Sequence, residues 1–115
     1  MSANPVALVV EDSEDQVELL RHFLAKEGLD VVAMPSAEAA FTTFDDIRPA
    51  LAVIDLLLPG IGGEECARRV RERFPDCVIV ISSVLDVADY PDADAVLPKP
   101  VRGAQLHEIV TELLG

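Results

Sequence analysis

One carboxylate stands inside an apolar run: Asp55, in Leu51-Ala52-Val53-Ile54-Asp55-Leu56-Leu57-Leu58-Pro59-Gly60. A charge there is costly unless it reaches water, a metal or a counter-charge. The pattern therefore places Asp55 where a buried strand emerges at the edge of a sheet, with Pro-Gly closing the run as a turn. Taken alone, Asp55 could equally start a turn or cap the next helix. Other polar residues end apolar runs in the same way. Glu11-Asp12 follow Val6 to Val10, Ser82-Ser83 follow Val78 to Ile81, and Lys99 follows Ala95-Val96-Leu97 after one proline. Each has a plainer reading in isolation: an acidic pair that complements a helix dipole, turn serines, an exposed loop lysine. Their coincidence at strand ends is what joins them.

Gathered in one place, these residues support a definite chemistry. Three crowded carboxylates repel, so at neutral pH one tends to hold a proton. A hard divalent cation removes that penalty, and oxygen-only donors favour magnesium over zinc. Lys99 adds a fixed positive charge, and Ser82 a hydroxyl that can donate to an incoming oxygen. Metal, ammonium and hydroxyl around one carboxylate make a pocket complementary to a phosphoryl group. Attack by Asp55 on such a group would give an aspartyl phosphate.

The elements that must position them follow from the hydrophobic pattern. Val6 to Val10 reads as a strand buried on both faces. Ser13 offers an N-cap with Gln16 completing a capping box, Val17, Leu20 and Leu24 form the apolar stripe, and Gly28 is a natural stop. Leu29 to Met34 is a second strand. Ser36 caps a helix of Ala37, Ala40, Phe41 and Phe44 that stops before Pro49. After the Asp55 strand, Gly62 and Gly63 open a helix with Cys66, Val70 and Phe74 on one side, ending at Pro75. Val78 to Ile81 and Ala95 to Leu97 are strands four and five. The last helix is expected to bury Leu106, Ile109, Val110 and Leu113. Between strands four and five, residues 83 to 94 hold Pro91 and four aspartates. There is room for one or two turns around Leu85 to Tyr90, not for a full amphipathic helix. Alternating strands and helices imply a parallel sheet covered on both faces with right-handed crossovers. Ligands of such sheets bind beyond the carboxyl ends of the strands, and that rule gives the scattered polar residues one address.

Composition bounds the rest. The 115 residues, half of them apolar, suit one domain spanning residues 1–115. No apolar run could span a bilayer and no basic-then-apolar leader opens the chain, so a cytoplasmic location with no membrane partner is expected. The net charge of −12 argues against direct binding of nucleic acid. Cys66 and Cys77 fall in apolar segments and read as buried thiols, not a disulfide or a zinc site. Arg68, Arg69, Arg71 and Arg73 lie on one expected helix, as a solvated face or a dock for an acidic partner. His22 and His107 have no matching partners and read as surface or boundary residues.

Val9-Val10-Glu11-Asp12-Ser13, Val53 to Gly60 and on through Gly63, Ile81-Ser82-Ser83 and Lys99-Pro100 together resemble the four signature regions of receiver domains of the two-component response-regulator family. The resemblance covers essentially the whole chain. It implies a flavodoxin-like (βα)5 three-layer sandwich with sheet order 2-1-3-4-5, here with a shortened fourth helix. It implies Asp55 as phosphoacceptor, fed by a sensor histidine kinase or histidine phosphotransfer protein and acting on a downstream output domain or protein. Asp12 and Asp55 would bind Mg2+ directly, with the backbone carbonyl of Leu57 and, through water, Glu11. Ser82 and Lys99 would contact the phosphoryl oxygens, and the Lys99-Pro100 bond would be cis.

The departures from the family pattern concern switching more than chemistry. Val96 stands where members often carry an aromatic ring, serine replaces threonine at position 82, and Gly62 replaces a common aspartate. By analogy with the family, Leu57 and Val84, two residues beyond Asp55 and Ser82, would flank the site and cannot orient an attacking water, so autodephosphorylation is expected to be slow. With the fourth helix curtailed, residues 83 to 94 are expected to change order on phosphorylation. The chain reads as no enzyme beyond its own phosphorylation and dephosphorylation. A phosphohydrolase with Asp55 as nucleophile would want a second aspartate at Leu57, and a receiver-like module that is never phosphorylated would not need the intact acidic set. No GxGxxG or GxxxxGK[ST] spacing supports nucleotide binding.

Overall fold

The computed structural model describes residues 4–115. Five strands, β1 (Val6–Val10), β2 (Asp30–Met34), β3 (Pro49–Asp55), β4 (Val78–Ser82) and β5 (Ala95–Val96), pair in parallel in the order β2-β1-β3-β4-β5. Four helices cover the sheet: α1 (Glu14–Lys26), α2 (Ala37–Phe41), α3 (Gly63–Arg73) and α4 (Gly103–Leu113).

The alternation of side chains along each strand builds two cores from single runs. Leu8, Val10, Ala52, Ile54, Ile79 and Ile81 face α2 and α3, meeting Ala37, Ala40, Cys66 and Val70. Their neighbours Ala7, Val9, Leu51, Val53 and Val80 face the other way, toward Leu20 and Leu24 of α1 and Leu106 and Ile109 of α4. Both thiols are free and buried. The arginines of α3 form a solvated face: Arg68 and Arg69 pair with Glu65, and Arg73 reaches Asp45 at 3.5 Å.

Helix ends follow local chemistry, with corrections to the sequence reading. Ser13 caps α1 by accepting from the Gln16 amide at 3.4 Å. Gln16 does not close the capping box, because the Glu11 carboxylate already accepts from the Ser13 amide at 3.1 Å. Gly28, at φ +82°, takes the left-handed conformation that ends α1. Ser36 caps α2 through the Ala39 amide at 3.1 Å, but α2 stops at Phe41 and Phe44 lies in the turns beyond it. Leu113 is exposed, contrary to expectation, since it falls in the final turn of α4, beyond the sheet-facing Leu106 and Ile109. His107 does have a partner: its Nδ1 lies 2.7 Å from Glu27 Oε1 at the end of α1.

The fourth crossover carries a single 3-10 turn, Val87–Asp89, in place of a helix. A groove of about 560 Å³, lined in part by Gly62, Arg68, Arg71 and Pro91, opens between α3 and this connection. No described helix is long and apolar enough to cross a membrane.

Candidate phosphoacceptor and metal site

Strand register brings the distant polar residues together. Val10 pairs with Ile54 and Asp55 pairs with Ser82, so the carboxyl ends of β1, β3 and β4 lie side by side. The ladder runs on past the strands: the Glu11 amide donates to the Met34 carbonyl, and the Leu97 and Lys99 amides donate to the Ile81 and Ser83 carbonyls. Glu11, Asp55 and Lys99 are thus delivered to one rim by backbone hydrogen bonds.

Lys99 Nζ lies 2.5 Å from Glu11 Oε1 and 3.0 Å from Asp55 Oδ2. Asp55 Oδ1 accepts from the Leu57 amide at 3.0 Å, which fixes the carboxylate plane. Ser82 is buried, and its hydroxyl oxygen has no hydrogen-bond partner. A buried unpaired hydroxyl is costly; here it sits on the residue that pairs with Asp55 across the strands. Asp12, in contrast, is exposed at the mouth, while one oxygen each from Glu11, Asp12 and Asp55 lie within 4.8 Å of one another.

The electrostatics are those of a crowded acidic pocket. Burial raises the Glu11 pKa above the ordinary carboxylate range, against the opposing bonds from Lys99 and the Ser13 amide. Burial acts to lower the Lys99 pKa, but its bonds to Glu11 and Asp55 outweigh that and raise it. Three carboxylates against one ammonium leave a residual negative charge, and the donors are all oxygen. That set fits a hard divalent cation.

The loop after Asp55 is shaped by glycines that cannot be replaced freely. A Cβ on Gly63 would stand 2.0 Å from the Asp55 carbonyl oxygen. Gly60, at φ +72°, turns beneath Glu38, whose Oε2 accepts from the Ile61 amide at 3.3 Å. The Lys99-Pro100 peptide is cis. Leu57, two residues beyond Asp55, and Val84, two beyond Ser82, are both exposed.

Glu11, Asp12, Asp55, Ser82 and Lys99 all meet at this rim. Missed in the sequence was Tyr90, whose hydroxyl donates to the Ser83 carbonyl at 2.7 Å. No periodicity marks it, and only its position as the single aromatic ring of residues 83 to 94 could have drawn notice.

Known proteins share this fold. The family model described as "Response regulator receiver domain" matches residues 7–111. The chain is 34% identical over 104 residues to the transcriptional regulatory protein CseB of Streptomyces coelicolor, covering 86% of this chain and 44% of that protein. It is 29% identical over 104 residues to the DNA-binding response regulator MtrA of Mycolicibacterium paratuberculosis, covering 86% and 46%. The chain therefore spans about half the length of these relatives. Among solved structures, the response regulator TrrA of Thermotoga maritima, in complex with Mg2+-BeF, superposes with a TM-score of 0.84 at 28% identity, covering 95% of this chain and 98% of that one. These relatives correct one expectation: a partner set without nucleic acid does not hold for kin that include a DNA-binding regulator, and net charge alone cannot speak for an output domain. With its strand ends, acidic rim and relatives in agreement, this chain belongs to the response regulator receiver domain family, the phosphorylation-dependent switches of two-component signalling.

Proposed function

We propose that Asp55 is the phosphoacceptor, taking its phosphoryl group from a histidine kinase or histidine phosphotransfer protein, and that residues 1–115 act as one receiver unit. The observation that carries this is the Lys99 ammonium 3.0 Å from Asp55, beside the unpaired Ser82 hydroxyl on the same rung. In the transfer, an Asp55 carboxylate oxygen forms a bond to phosphorus. The bond from phosphorus to the donor's imidazole nitrogen breaks, and that nitrogen keeps the electron pair and takes up a proton. Lys99 holds charge against the phosphoryl oxygens, and Ser82 donates a hydrogen bond to one of them. The Leu57 amide on Asp55 Oδ1 leaves the other oxygen, Oδ2, toward the Lys99 ammonium.

Asp12 and Asp55 would hold magnesium directly, with the Leu57 carbonyl and, through water, Glu11; the all-oxygen donor set supports this. Bound magnesium supplies positive charge to the developing phosphoryl oxygens. The chain catalyses only its own phosphorylation and dephosphorylation, and it does so in the cytoplasm. By analogy with the named relatives, the output it controls is transcription, with DNA bound by the domain or protein that it regulates.

Incubation with magnesium and acetyl phosphate, followed by intact mass, tests the reading. A gain of one phosphoryl group that disappears in Asp55→Asn supports it; undiminished labelling of Asp55→Asn moves the acceptor elsewhere.

A further inference from the structure

We propose that Tyr90 is a positioning residue for phosphoryl transfer, holding Ser82 and Lys99 in register through the Ser83 carbonyl; this rests on Asp55 being the acceptor. Ser83 directly follows the unpaired Ser82 hydroxyl and is fully buried. Its carbonyl oxygen takes two donors: the Tyr90 hydroxyl at 2.7 Å and the Lys99 backbone amide at 3.0 Å. One oxygen thus ties together the backbone of both groups that would meet the phosphoryl oxygens.

The surroundings make the phenol a tether. Residues 84 to 89 are all exposed, and Tyr90 is the first to turn back, packing its ring against the core that contains Ile54 and Ile81. The far end of the connection is pinned separately, where the Asp94 carboxylate accepts from the Ile79 amide at 2.8 Å. Between that pin and Ser83, the connection has no regular helix of its own to stiffen it. Without the phenol, the Ser83 carbonyl keeps only the Lys99 amide, and the peptide that carries Ser82 gains freedom just where a fixed hydroxyl is needed. Conversely, a phosphoryl group that draws the Ser82 hydroxyl toward itself must move the neighbouring peptide, and with it the bond to Tyr90.

The chain has one tyrosine and no tryptophan, so its tyrosine emission reads this phenol alone. Tyr90→Phe keeps the ring and removes only the hydroxyl. At saturating acetyl phosphate and magnesium, its phosphorylation rate is expected to fall about five- to tenfold, the worth of one hydrogen bond. The half-saturating magnesium concentration should stay unchanged, which general loosening of the fold would not allow. In the wild-type chain, magnesium with beryllofluoride should change the tyrosine emission, and in Asp55→Asn it should not. A wild-type rate in Tyr90→Phe overturns the proposal while leaving the acceptor in place, provided Asp55→Asn stays unlabelled. Full labelling of Asp55→Asn overturns the acceptor and this inference together. Should Tyr90→Phe not fold, the emission of the wild-type chain decides: no change in a sample that accepts phosphoryl also overturns it.

Discussion

Lys99 and Glu11 meet across 88 residues of chain, at 2.5 Å, with both side chains almost wholly buried. The same ammonium is shared with Asp55. Breaking a buried pair by removing one partner leaves uncompensated charge and costs about 3–5 kcal/mol. Lys99→Met is therefore expected to lose stability on that scale in urea unfolding without magnesium. Added magnesium should recover more stability in this variant than in the wild type, because it finds two carboxylates with no competing ammonium. Equal urea midpoints for the two proteins would show that the pair holds nothing.

Leu57 and Val84, two residues beyond Asp55 and Ser82, are 52% and 69% exposed, and neither side chain can orient a water molecule for attack on an acyl phosphate. Slow phosphate release is expected. Replacing both, as Leu57→Asn with Val84→Gln, should speed release by about tenfold through better placement of the water. The check is the decay of phosphorylated protein after the donor is removed.

Gly63 and Gly62 should behave in opposite ways. Alanine at Gly63 drives a Cβ into the backbone of Asp55 and Leu56, at 2.0 and 2.6 Å, where no flexible side chain can yield. A loss of about 3 kcal/mol is expected, with Asp55 displaced. Gly62 caps α3 without a side-chain hydrogen bond, and a Cβ there meets nothing closer than 4.0 Å. Gly62→Asp should gain about 0.3 kcal/mol as a better N-cap. Thermal unfolding of both variants reads the contrast.

Burial pushes the Cys66 and Cys77 thiols up to about 12, from an ordinary value of 9.0. At pH 8 the thiolate fraction falls roughly a thousandfold, so a thiol reagent should label the native protein far more slowly than the unfolded chain. The folded pKa lies above the unfolded one. The thiols' contribution to stability is thus complete below pH 9 and lost as pH rises toward 12. Lys99, also raised, adds a loss of the same sign in the alkaline range. Urea midpoints at pH 8 and pH 10.5 should differ in that direction, and by less once both cysteines are alanine.

The β-rich core and the strand-end site were legible because both depend on patterns of neighbouring residues. Continuous runs such as Val6 to Val10 mark strands covered on two faces, and one polar residue after each run marks the rim. What escaped depends on contacts between segments. Gln16 has the spacing of a capping box, yet Glu11 reaches the Ser13 amide first. His107 pairs with Glu27, 80 residues away. Leu113 keeps the helical period but runs out of protein to pack on. The brevity of the fourth crossover was evident from Pro91 and the aspartates. The use of Tyr90 to fasten it was not, because a hydroxyl's partner cannot be read from spacing.

Asp55 and Ser82 share a rung, so their backbones stand apart by the spacing of adjacent strands, about 4.8 Å. No loop length enters that distance. The connection beyond Ser83 holds only a 3-10 turn, and Asp55 and Ser82 are still paired across their strands. The rung sets the spacing of the reacting pair, and Tyr90 is where the shortened connection reaches back to it.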